Sequence, residues 1–446
     1  MEPNASSIDR RSFLKAASAA GVGLWASGGL SPAYGYRGSP NERLRVAVMG
    51  VNGRGEVLAK SFATAQDSEV VYIVDVDTQV LAKVVGAVEE LQEKKPEGVV
   101  DYRRTLDDRN VDALVIAAPD HWHALATING LKAGKHVYVE KPAAHNPAEG
   151  ELMVAAQRKY DRLVQMGNQQ RSDPRSIEIV QQIREGLIGR PYYARTWYAN
   201  ARPSIGIGKP AAVPAHLDWE LWQGPAPRVP FHDNYVHYNW HWFWNWGTGE
   251  VANNGTHEID LARWALGVDY PVRVTSVGGR YHYQDDWQFY DTQDVGYDFA
   301  DGKTIVWQGR SSNGFPVLNR GRGTSIHGTE GTVVLDRDGY LVYDLKNNLV
   351  QDVSGQEKID ALDTRGGDVM TDRHIENFIN AVRVSERLNA PIHEGHVSSL
   401  LTHLGNIAQR TGDALRIDPK SGHIIGNAEA QKLWGREYAP GWAPVV

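Results

Sequence analysis

The stretch Leu44–Gly55, LRVAVMGVNGRG, decides the fold that the sequence predicts. Its apolar first half predicts a buried strand, and its glycine-rich second half predicts a tight turn. Residues 56–65 follow with the pattern of a helix. A strand, a glycine turn and a helix in this order are typical of a dinucleotide-binding α/β fold, in which the helix N-terminus holds the pyrophosphate.

The turn matches the G-x-G-x-x-G pattern of such folds incompletely. Gly50 and Gly55 stand at the first and last positions, but Asn52 replaces the middle glycine. Asparagine tolerates the left-handed backbone conformation, and Gly53 lets the backbone approach a phosphate. We therefore expect the phosphates of a dinucleotide to bind at this turn, on Gly50, Asn52, Gly53, Arg54 and Gly55.

A second predicted strand supports this interpretation. Residues 70–74 are apolar and end in Asp75, about 20 residues past the last glycine, as the pattern requires. A carboxylate at this place accepts hydrogen bonds from the adenosine ribose hydroxyls and repels a 2′-phosphate, so Asp75 favours NAD over NADP. The alternative is that Asp75 is an ordinary turn residue at a strand end.

Residues 113–118, 136–139 and 163–166 predict three further strands. In an open parallel sheet, ligands bind beyond the carboxyl ends of the strands. Proline cannot donate to a sheet, so the second of these strands stops before Pro142 and presents the Lys141 amine where a cofactor domain meets a substrate domain. The cofactor contacts that we predict after these strands are Pro119, His123, Glu140, Lys141, Asn168 and Gln169.

The composition is that of a soluble globular protein with two or three domains. The chain has 446 residues, of which 41% are hydrophobic and 23% are charged. Its net charge of −7 argues against a nucleic-acid partner, because phosphate backbones bind basic surfaces. The chain has no cysteine, which excludes disulfides and a thiol nucleophile.

The N-terminal residues predict an export signal. Asp9–Lys15, DRRSFLK, resembles a twin-arginine signal, with Asp9 where Ser or Thr is usual. The mildly apolar run 16–30 that follows is too short and too glycine-rich to span a membrane. We therefore predict a signal peptide over residues 1–35 and a periplasmic location, and the alternative is a disordered basic tail.

Four motifs, taken in order, give the chain a family resemblance. They are the glycine turn at 50–55, Pro119 with His123, Glu140–Pro142, and GTHEID at Gly255–Asp260. On these motifs the chain resembles the glucose–fructose oxidoreductase / inositol dehydrogenase / MocA (Gfo/Idh/MocA) family over nearly its whole length after the export signal.

This resemblance implies two domains. An N-terminal Rossmann domain is expected at residues 42–167, and a C-terminal α/β domain with a large, mostly antiparallel open sheet is expected at residues 168–446. In the family, the open sheet shapes the substrate site and the interface of a homo-oligomer, here a dimer or a tetramer. Late helices, predicted at 372–383 and 396–411, are expected to pack near the first domain. The proline-rich residues 209–230 predict an ordered surface excursion.

The segment Tyr235–Trp246, YVHYNWHWFWNW, is the densest candidate for a substrate surface. No single strand or helix buries every ring of such a run, so we predict a loop that presents sugar-stacking rings and hydroxyl-binding groups. We predict that Tyr235, His237 and Trp242 contact the substrate and that Tyr238 takes part in proton transfer. The alternative is a buried aromatic cluster.

The resemblance also implies two catalytic residues, the active-site lysine at Lys141 and the histidine of the family's catalytic pair at His257. The aspartate that is usual four residues before the histidine is replaced by Asn253, which cannot exchange a proton at neutral pH. Proton transfer then falls to His257, Lys141 or Tyr238, and Asn253 is left to bind the substrate. We predict that Asp260 is a further substrate-site residue that orients His257. The alternative is that its carboxylate only stabilises the helix N-terminus.

Several histidines supply imidazoles, but their spacing resembles no zinc motif, so we predict no metal site. The pattern indicates an NAD-dependent enzyme that oxidises a secondary hydroxyl of a sugar or glycoside. Because little free NAD exists outside the cytoplasm, we expect a tightly bound cofactor that is recycled. One alternative is a redox-neutral, NAD-dependent glycoside hydrolase, and another is an NAD- or sugar-binding scaffold without catalysis.

Overall fold

The computed structural model describes residues 43–355 and 368–446, in which a parallel sheet precedes a larger, mostly antiparallel one. The predicted export signal lies outside the described residues. In the part of the chain that is described, no helix is both long and apolar enough to cross a membrane.

The first sheet has six strands in the order β3-β2-β1-β4-β5-β6, and all of its neighbouring strands are parallel. This is the strand order of a Rossmann domain, which confirms the predicted fold. The strands are β1 (Leu44–Met49), β2 (Ser68–Val74), β3 (Glu97–Val99), β4 (Ala113–Ile116), β5 (His136–Val139) and β6 (Val164–Met166). The helices of this part are α1 (Arg54–Thr64), α2 (Thr78–Gln92), α3 (Arg103–Leu106), α4 (Asp120–Lys132) and α5 (Pro147–Tyr160).

Helix α4 begins at Asp120, directly after Pro119. Proline fixes its own backbone in an extended conformation before the helix, and a carboxylate in the first turn suits the positive helix N-terminus. The first turn of α4 therefore lies at the carboxyl end of the sheet.

The second sheet has ten strands in the order β14-β13-β12-β11-β7-β10-β9-β8-β15-β16, and the β7–β10 pair is parallel in an otherwise antiparallel arrangement. This confirms the predicted C-terminal architecture. Its strands are β7 (Pro191–Ala199), β8 (Arg273–Gly279), β9 (Thr292–Asp298), β10 (Thr304–Arg310), β11 (Arg322–Gly328), β12 (Gly331–Asp336), β13 (Gly339–Asp344), β14 (Leu349–Val353), β15 (Leu415–Ile417) and β16 (Ile424–Ile425). The remaining helices are α6 (Pro174–Arg184), α7 (Trp219–Gln223), α8 (Gly249–Asn253), α9 (Gly255–Leu266), α10 (Val369–Val384), α11 (Ile392–Thr411) and α12 (Ala428–Lys432).

One face of the large sheet is covered by helices. In β10 the residues alternate, so that Ile305 and Trp307 are buried beneath α9 while their neighbours are half-exposed. Helix α11 packs beside α9 through buried leucines such as Leu401 and Leu404. This packing fixes the start of α9, and with it His257, over the sheet.

Helix α10 completes the core of the Rossmann domain, although it lies late in the sequence. Phe378 packs edge-to-face against Phe62 of α1 and Tyr138 of β5, with ring centroids 6.4 Å and 5.8 Å away. Helix α10 therefore packs against the first domain, as the resemblance implied.

The proline-rich residues 209–230 are not a simple surface excursion. They contain α7, whose Trp219 and Trp222 are buried in an aromatic cluster with Trp246. The backbone carbonyl of His216 accepts a hydrogen bond of 2.9 Å from the amide of Thr78 at the start of α2. This hydrogen bond anchors the segment on the Rossmann domain. Its tryptophan rings are buried because burial of apolar surface lowers the free energy.

Candidate active site

A cavity of about 680 Å³ lies beyond the carboxyl ends of the Rossmann strands. It is walled on the other side by β7, α7, the aromatic segment and the α8–α9 junction. The predicted site residues that line it are Gly50, Asn52, Gly53, Arg54, Asp75, Pro119, His123, Glu140, Lys141, Gln169, His237, Tyr238, Asn253 and His257. A volume of this size is typical of pockets for small molecules and cofactors.

The glycine turn has the shape that a dinucleotide requires. Gly50 has φ +78°, and a Cβ there would lie 2.4 Å from the Ala118 backbone. A Cβ on Gly55 would lie 1.9 Å from the carbonyl oxygen of Gly50, so Gly55 shapes the turn without lining the cavity. Gly53 has φ +71° with open space around it, and α1 begins at the next residue. The turn therefore offers backbone amides and a helix N-terminus to a phosphate.

Asp75 lies at the predicted place and also braces the turn. Its carboxylate accepts hydrogen bonds from the backbone amides of Val51 (2.8 Å) and Asp77 (2.9 Å). Burial raises the pKa of Asp75, and these two amide hydrogen bonds oppose that shift. Each carboxylate oxygen can accept a second hydrogen bond, so the residue fits the predicted contact with a ribose.

Arg54 and Glu140 pair with each other under the turn. Arg54 Nε lies 2.8 Å from Glu140 Oε1, and both side chains are largely buried. Burial alone would raise the pKa of Glu140, but the positive charges of Arg54 and Lys141 outweigh it and the pKa is lowered. The structure thus gives Glu140 a supporting place beside Lys141.

Lys141 reaches across to the second domain. Its Nζ donates to the backbone carbonyl of Asn253 at 2.7 Å and to the side-chain Oδ1 of the same residue at 3.1 Å. An ammonium has three N–H bonds, so one remains for a ligand after these two contacts within the described residues. Burial lowers the pKa of Lys141, while Glu140 and Asp120 oppose the shift. Asn253 therefore holds the lysine through two oxygens without supplying a charge.

His257 lies on the first turn of α9 and lines the same cavity. Its Nε2 is buried and has no hydrogen-bond partner among the described residues. Burial lowers its pKa well below the ordinary 6.5, and the nearby charges of Lys141 and Arg322 act in the same direction. The ring is therefore neutral at physiological pH and can accept a proton.

The aromatic segment divides between core and cavity. Tyr235 packs 4.7 Å from the Trp246 ring, and Trp242 stacks at 3.8 Å on Trp287. Neither of the two lines the cavity, so the structure places Tyr235 and Trp242 in aromatic clusters and does not bring them into the site. Tyr238 does line it, and its hydroxyl accepts a 3.0 Å hydrogen bond from Arg202. Because apolar rings gain free energy by burial, the buried-cluster alternative holds for part of the segment.

The structure places two other predicted substrate-site residues, His237 and Asp260, away from Lys141 and His257. His237 lies beside Asp77, with Nε2 3.0 Å from Oδ2, and therefore at the end of the cavity near Asp75 rather than at the Lys141 end. Asp260 does not line the cavity, because its carboxylate is buried in a bidentate pair with Arg171 at 2.8 Å and 2.8 Å. Ser398 also donates to it. Asp260 thus fixes α9 and does not orient His257.

Among the remaining predicted contacts, His123 holds the cavity wall together. Its Nδ1 lies 2.7 Å from the Pro142 carbonyl oxygen and its Nε2 lies 2.9 Å from that of Ala118. Asn168 is buried and is not part of the lining, whereas Gln169 is.

Sequence reasoning missed the substrate-side wall that β7 provides. Tyr198, Asn200 and Arg202 line the cavity beside Asn254. Arg202 forms a bidentate pair with the buried Glu250, with Nε 2.6 Å from Oε2. The alternating sequence of β7 predicts a strand, but the residues around it do not indicate which end of that strand faces the cofactor. The sequence therefore gives no sign that these three residues line the cavity.

No group of three or more His, Asp or Glu residues among 43–355 and 368–446 is arranged to hold a metal ion.

Comparison with known proteins agrees with this architecture. Residues 44–168 match the description "Oxidoreductase family, NAD-binding Rossmann fold", and residues 204–443 match "Oxidoreductase family, C-terminal alpha/beta domain". The chain belongs to the Gfo/Idh/MocA oxidoreductase family. Its N-terminal part is accordingly the NAD-binding Rossmann domain of an oxidoreductase family.

Curated relatives include two kinds of protein. Inositol 2-dehydrogenase of Rubrobacter xylanophilus is 32% identical over 169 residues, which are 37% of this chain and 47% of the relative. Glycosyl hydrolase family 109 protein 2 of Shewanella sp. (strain ANA-3) is 30% identical over 211 residues, which are 43% of this chain and 46% of the relative. The matching regions thus span less than half of either relative.

Solved structures share the fold over most of the chain. Levoglucosan dehydrogenase, in complex with NADH and levoglucosan, has a TM-score of 0.64 at 20% identity and covers 84% of this chain and 99% of its own. The aldose-aldose oxidoreductase from Caulobacter crescentus, complexed with glycerol, has a TM-score of 0.63 at 19% identity and covers 84% of this chain and 100% of its own.

Proposed function

We propose that this protein oxidises a secondary hydroxyl of a sugar or glycoside with an NAD that stays bound and is recycled. The observation that carries the proposal is the pairing of Lys141 and His257 in one cavity. Lys141 has one N–H bond left for a ligand, and His257 has a ring nitrogen without a hydrogen-bond partner among the described residues. Together they can hold a substrate oxygen and take its proton.

The glycine turn, the start of α1 and Asp75 would hold the cofactor's phosphates and ribose. When bound, NAD supplies the acceptor for the hydride that leaves the substrate carbon. Lys141 would hold the hydroxyl oxygen and stabilise negative charge as it develops there. His257, neutral because it is buried among positive charges, would accept the hydroxyl proton on its imidazole ring.

The wall facing this pair suits an uncharged ligand. Arg202 on this wall is paired with Glu250. Ion pairs of this kind leave little net charge to attract an anionic substrate. Tyr238 and Trp240 add aromatic surface at the same wall, and such rings stack on sugars.

The pH dependence of kcat/KM follows from the two pKa shifts. His257 works unprotonated and its pKa is well below 6.5, so we expect activity to persist as the pH falls through 6.5. Lys141 works protonated and its pKa is below 10.5, so we expect the loss at high pH to begin before 10.5. A profile of kcat/KM between pH 5 and 10 measures both limbs. An acid limb centred at 6.5 or above would contradict the assigned base.

Retention of the cofactor is supported by residues 217–237, the segment that closes the Asp75 end of the cavity. His237 contacts Asp77 there, and Leu217 forms a β-bridge with the same residue. A dinucleotide under this segment would be released only after these contacts open. We therefore expect nucleotide to copurify with the protein.

Replacing His237 with alanine is expected to speed the loss of NAD by about tenfold, because a hydrogen bond to a charged group contributes roughly 1.5–3 kcal/mol. The dissociation rate of bound NADH, followed by its fluorescence, measures the effect. His232→Ala is the matched control, since His232 lies in the same segment and stacks on Tyr235 without contacting Asp77. Equal rates in both variants would contradict the closing role.

The deciding experiment uses purified protein with its copurified nucleotide, a panel of glycosides and no added NAD. A keto-sugar product, or transfer of reducing equivalents to a second sugar, supports the proposed oxidoreductase. Release of the aglycone with no net NADH supports the redox-neutral glycoside hydrolase instead. The similarity to glycosyl hydrolase family 109 proteins favours that second candidate, as does Tyr238, a further acid–base group on the same wall. No turnover on any glycoside would favour a binding scaffold.

Export by the twin-arginine route and homo-oligomerisation belong to the same proposal. The residues that support export are Asp9–Lys15, and the periplasm would explain why the cofactor is retained. Every other residue of β9 and β10 is partly exposed, and the large sheet carries exposed apolar groups such as Val277, which supports self-association. Fractionation of cells and light scattering of the purified protein test these two points.

A further inference from the structure

The contact that Lys141 makes with the second domain carries no charge. Asn253 donates no proton and carries no charge, although it holds Lys141 Nζ through two oxygens. The neighbouring Glu140 is held by Arg54. A lysine that works as an ammonium in a buried site needs a nearby negative charge to stay protonated. The structure offers one such group in the first turn of α4.

Asp120 and Lys141 line the same cavity, and the strands that precede them are neighbours in the parallel sheet. Strand β4 ends at Ile116, beside Val139 at the end of β5. Asp120 is the fourth residue after β4, and Lys141 is the second residue after β5. His123, one helical turn after Asp120, binds the carbonyl of Pro142 at 2.7 Å and so ties this turn of α4 to the Lys141 loop.

The second domain holds Asp120 in place. The hydroxyl of Thr248 donates to Asp120 Oδ2 at 2.6 Å, and both side chains are buried. Thr248 immediately precedes α8, a single short helix that ends at Asn253. One five-residue helix therefore connects the group that holds Asp120 to the group that holds Lys141.

We propose that Asp120 acts through Lys141 as a positioning residue that, together with Glu140, keeps the ammonium charged. The proposal rests on the proposed function only for its kinetic consequence. Among the described residues, the other charged or titratable groups around Lys141 are Glu140, Arg54, Arg322, His123 and His257, and Glu140 opposes the effect of burial on the pKa of Lys141 more strongly than Asp120 does. Asp120 and Lys141 each shift the pKa of the other toward the charged form, against burial.

The direct test measures the protonation of Lys141 without turnover. Full-length protein with bound NAD is labelled with acetic anhydride at a series of pH values, and the Lys141 peptide is quantified by mass spectrometry. Asp120→Asn preserves the oxygen that accepts from Thr248, and we expect it to lower the labelling midpoint by about one pH unit. Asn253→Asp in the same background is expected to restore the midpoint, because it places a carboxylate against Lys141 again.

Asp101→Asn is the matched control, since Asp101 lines the same cavity but pairs with Arg103. It should leave the Lys141 midpoint unchanged. An unchanged midpoint in Asp120→Asn, with the melting temperature of the wild type, would overturn the proposal. If Asp120→Asn does not fold, Thr248→Val replaces it, and a downward shift of the midpoint is again expected while no shift overturns the proposal.

The kinetic readout is the alkaline limb of kcat/KM, which should move to lower pH in Asp120→Asn by the shift seen in labelling. A structural role alone would lower activity at every pH and leave this limb in place. If the labelling midpoint shifts but no sugar or glycoside is turned over by any form, the proposed function fails while the link between Asp120 and Lys141 stands.

Discussion

Replacing Lys141 with methionine is expected to lower kcat/KM for the sugar substrate by about 10³-fold, because one charge-stabilising donor in a closed site contributes roughly that much. Methionine keeps an unbranched chain of similar length but removes the charge and the N–H bonds. The glycine turn and Asp75, which would hold the phosphates and the ribose, lie elsewhere on the cavity wall, so the affinity for NAD should fall much less than kcat/KM does. The variant therefore separates loss of chemistry from loss of cofactor binding.

Steady-state kinetics and a fluorescence titration with NADH measure the two quantities. Lys132→Met is the matched control, since Lys132 lies exposed at the other end of α4. It should behave like the wild-type protein. If Lys141→Met kept more than a tenth of the wild-type kcat/KM, the assigned role of the ammonium would be wrong.

Replacing His257 with alanine is expected to lower kcat/KM by about 10²–10⁴-fold, the range that removal of a general base produces. The ring is buried at the start of α9, so its removal leaves a space of its own size within the cavity wall. Added imidazole can enter such a space and replace the base. We therefore expect imidazole to restore part of the activity, with a dependence on its unprotonated fraction.

His423→Ala serves as the control, because His423 is half-exposed and pairs with Glu151 away from the cavity. It should show wild-type kinetics and no response to imidazole. A His257→Ala protein with wild-type kcat/KM would transfer the role of base to Tyr238. A large loss without rescue, together with a lowered melting temperature, would indicate that His257 mainly supports the fold.

The site could be predicted from the sequence wherever a residue follows a recognisable strand. Gly50, Asp75 and Lys141 all stand directly after apolar runs, and the structure brings them to one edge of one sheet. The prediction works because parallel strands joined by helices must present their carboxyl ends on the same side. His257 came from a motif, and it lies where the motif implied.

The aromatic segment could not be interpreted in the same way. Trp242 and Tyr238 are four residues apart, yet one stacks on Trp287 in the core and the other faces the cavity. Their environments depend on partners that lie far away in the sequence. Composition alone does not distinguish a ring that binds sugar from one that fills a core, because both gain by leaving water.

By itself, the sequence determined the strands, the glycine turn and the first helix of the Rossmann domain, because these follow from local periodicity and turn residues. The large sheet was implied by the family resemblance. Only the tertiary structure decided which charges meet. Lys141 donates to Asn253, which lies 112 residues further along the chain, and Asp120 accepts from Thr248, which lies 128 residues further along. Asp260 pairs with Arg171 and not with His257. A buried charge must be paired or neutralised, and the partner is whichever group the packing of the domains brings within reach. That choice depends on the folded structure as a whole and not on local sequence.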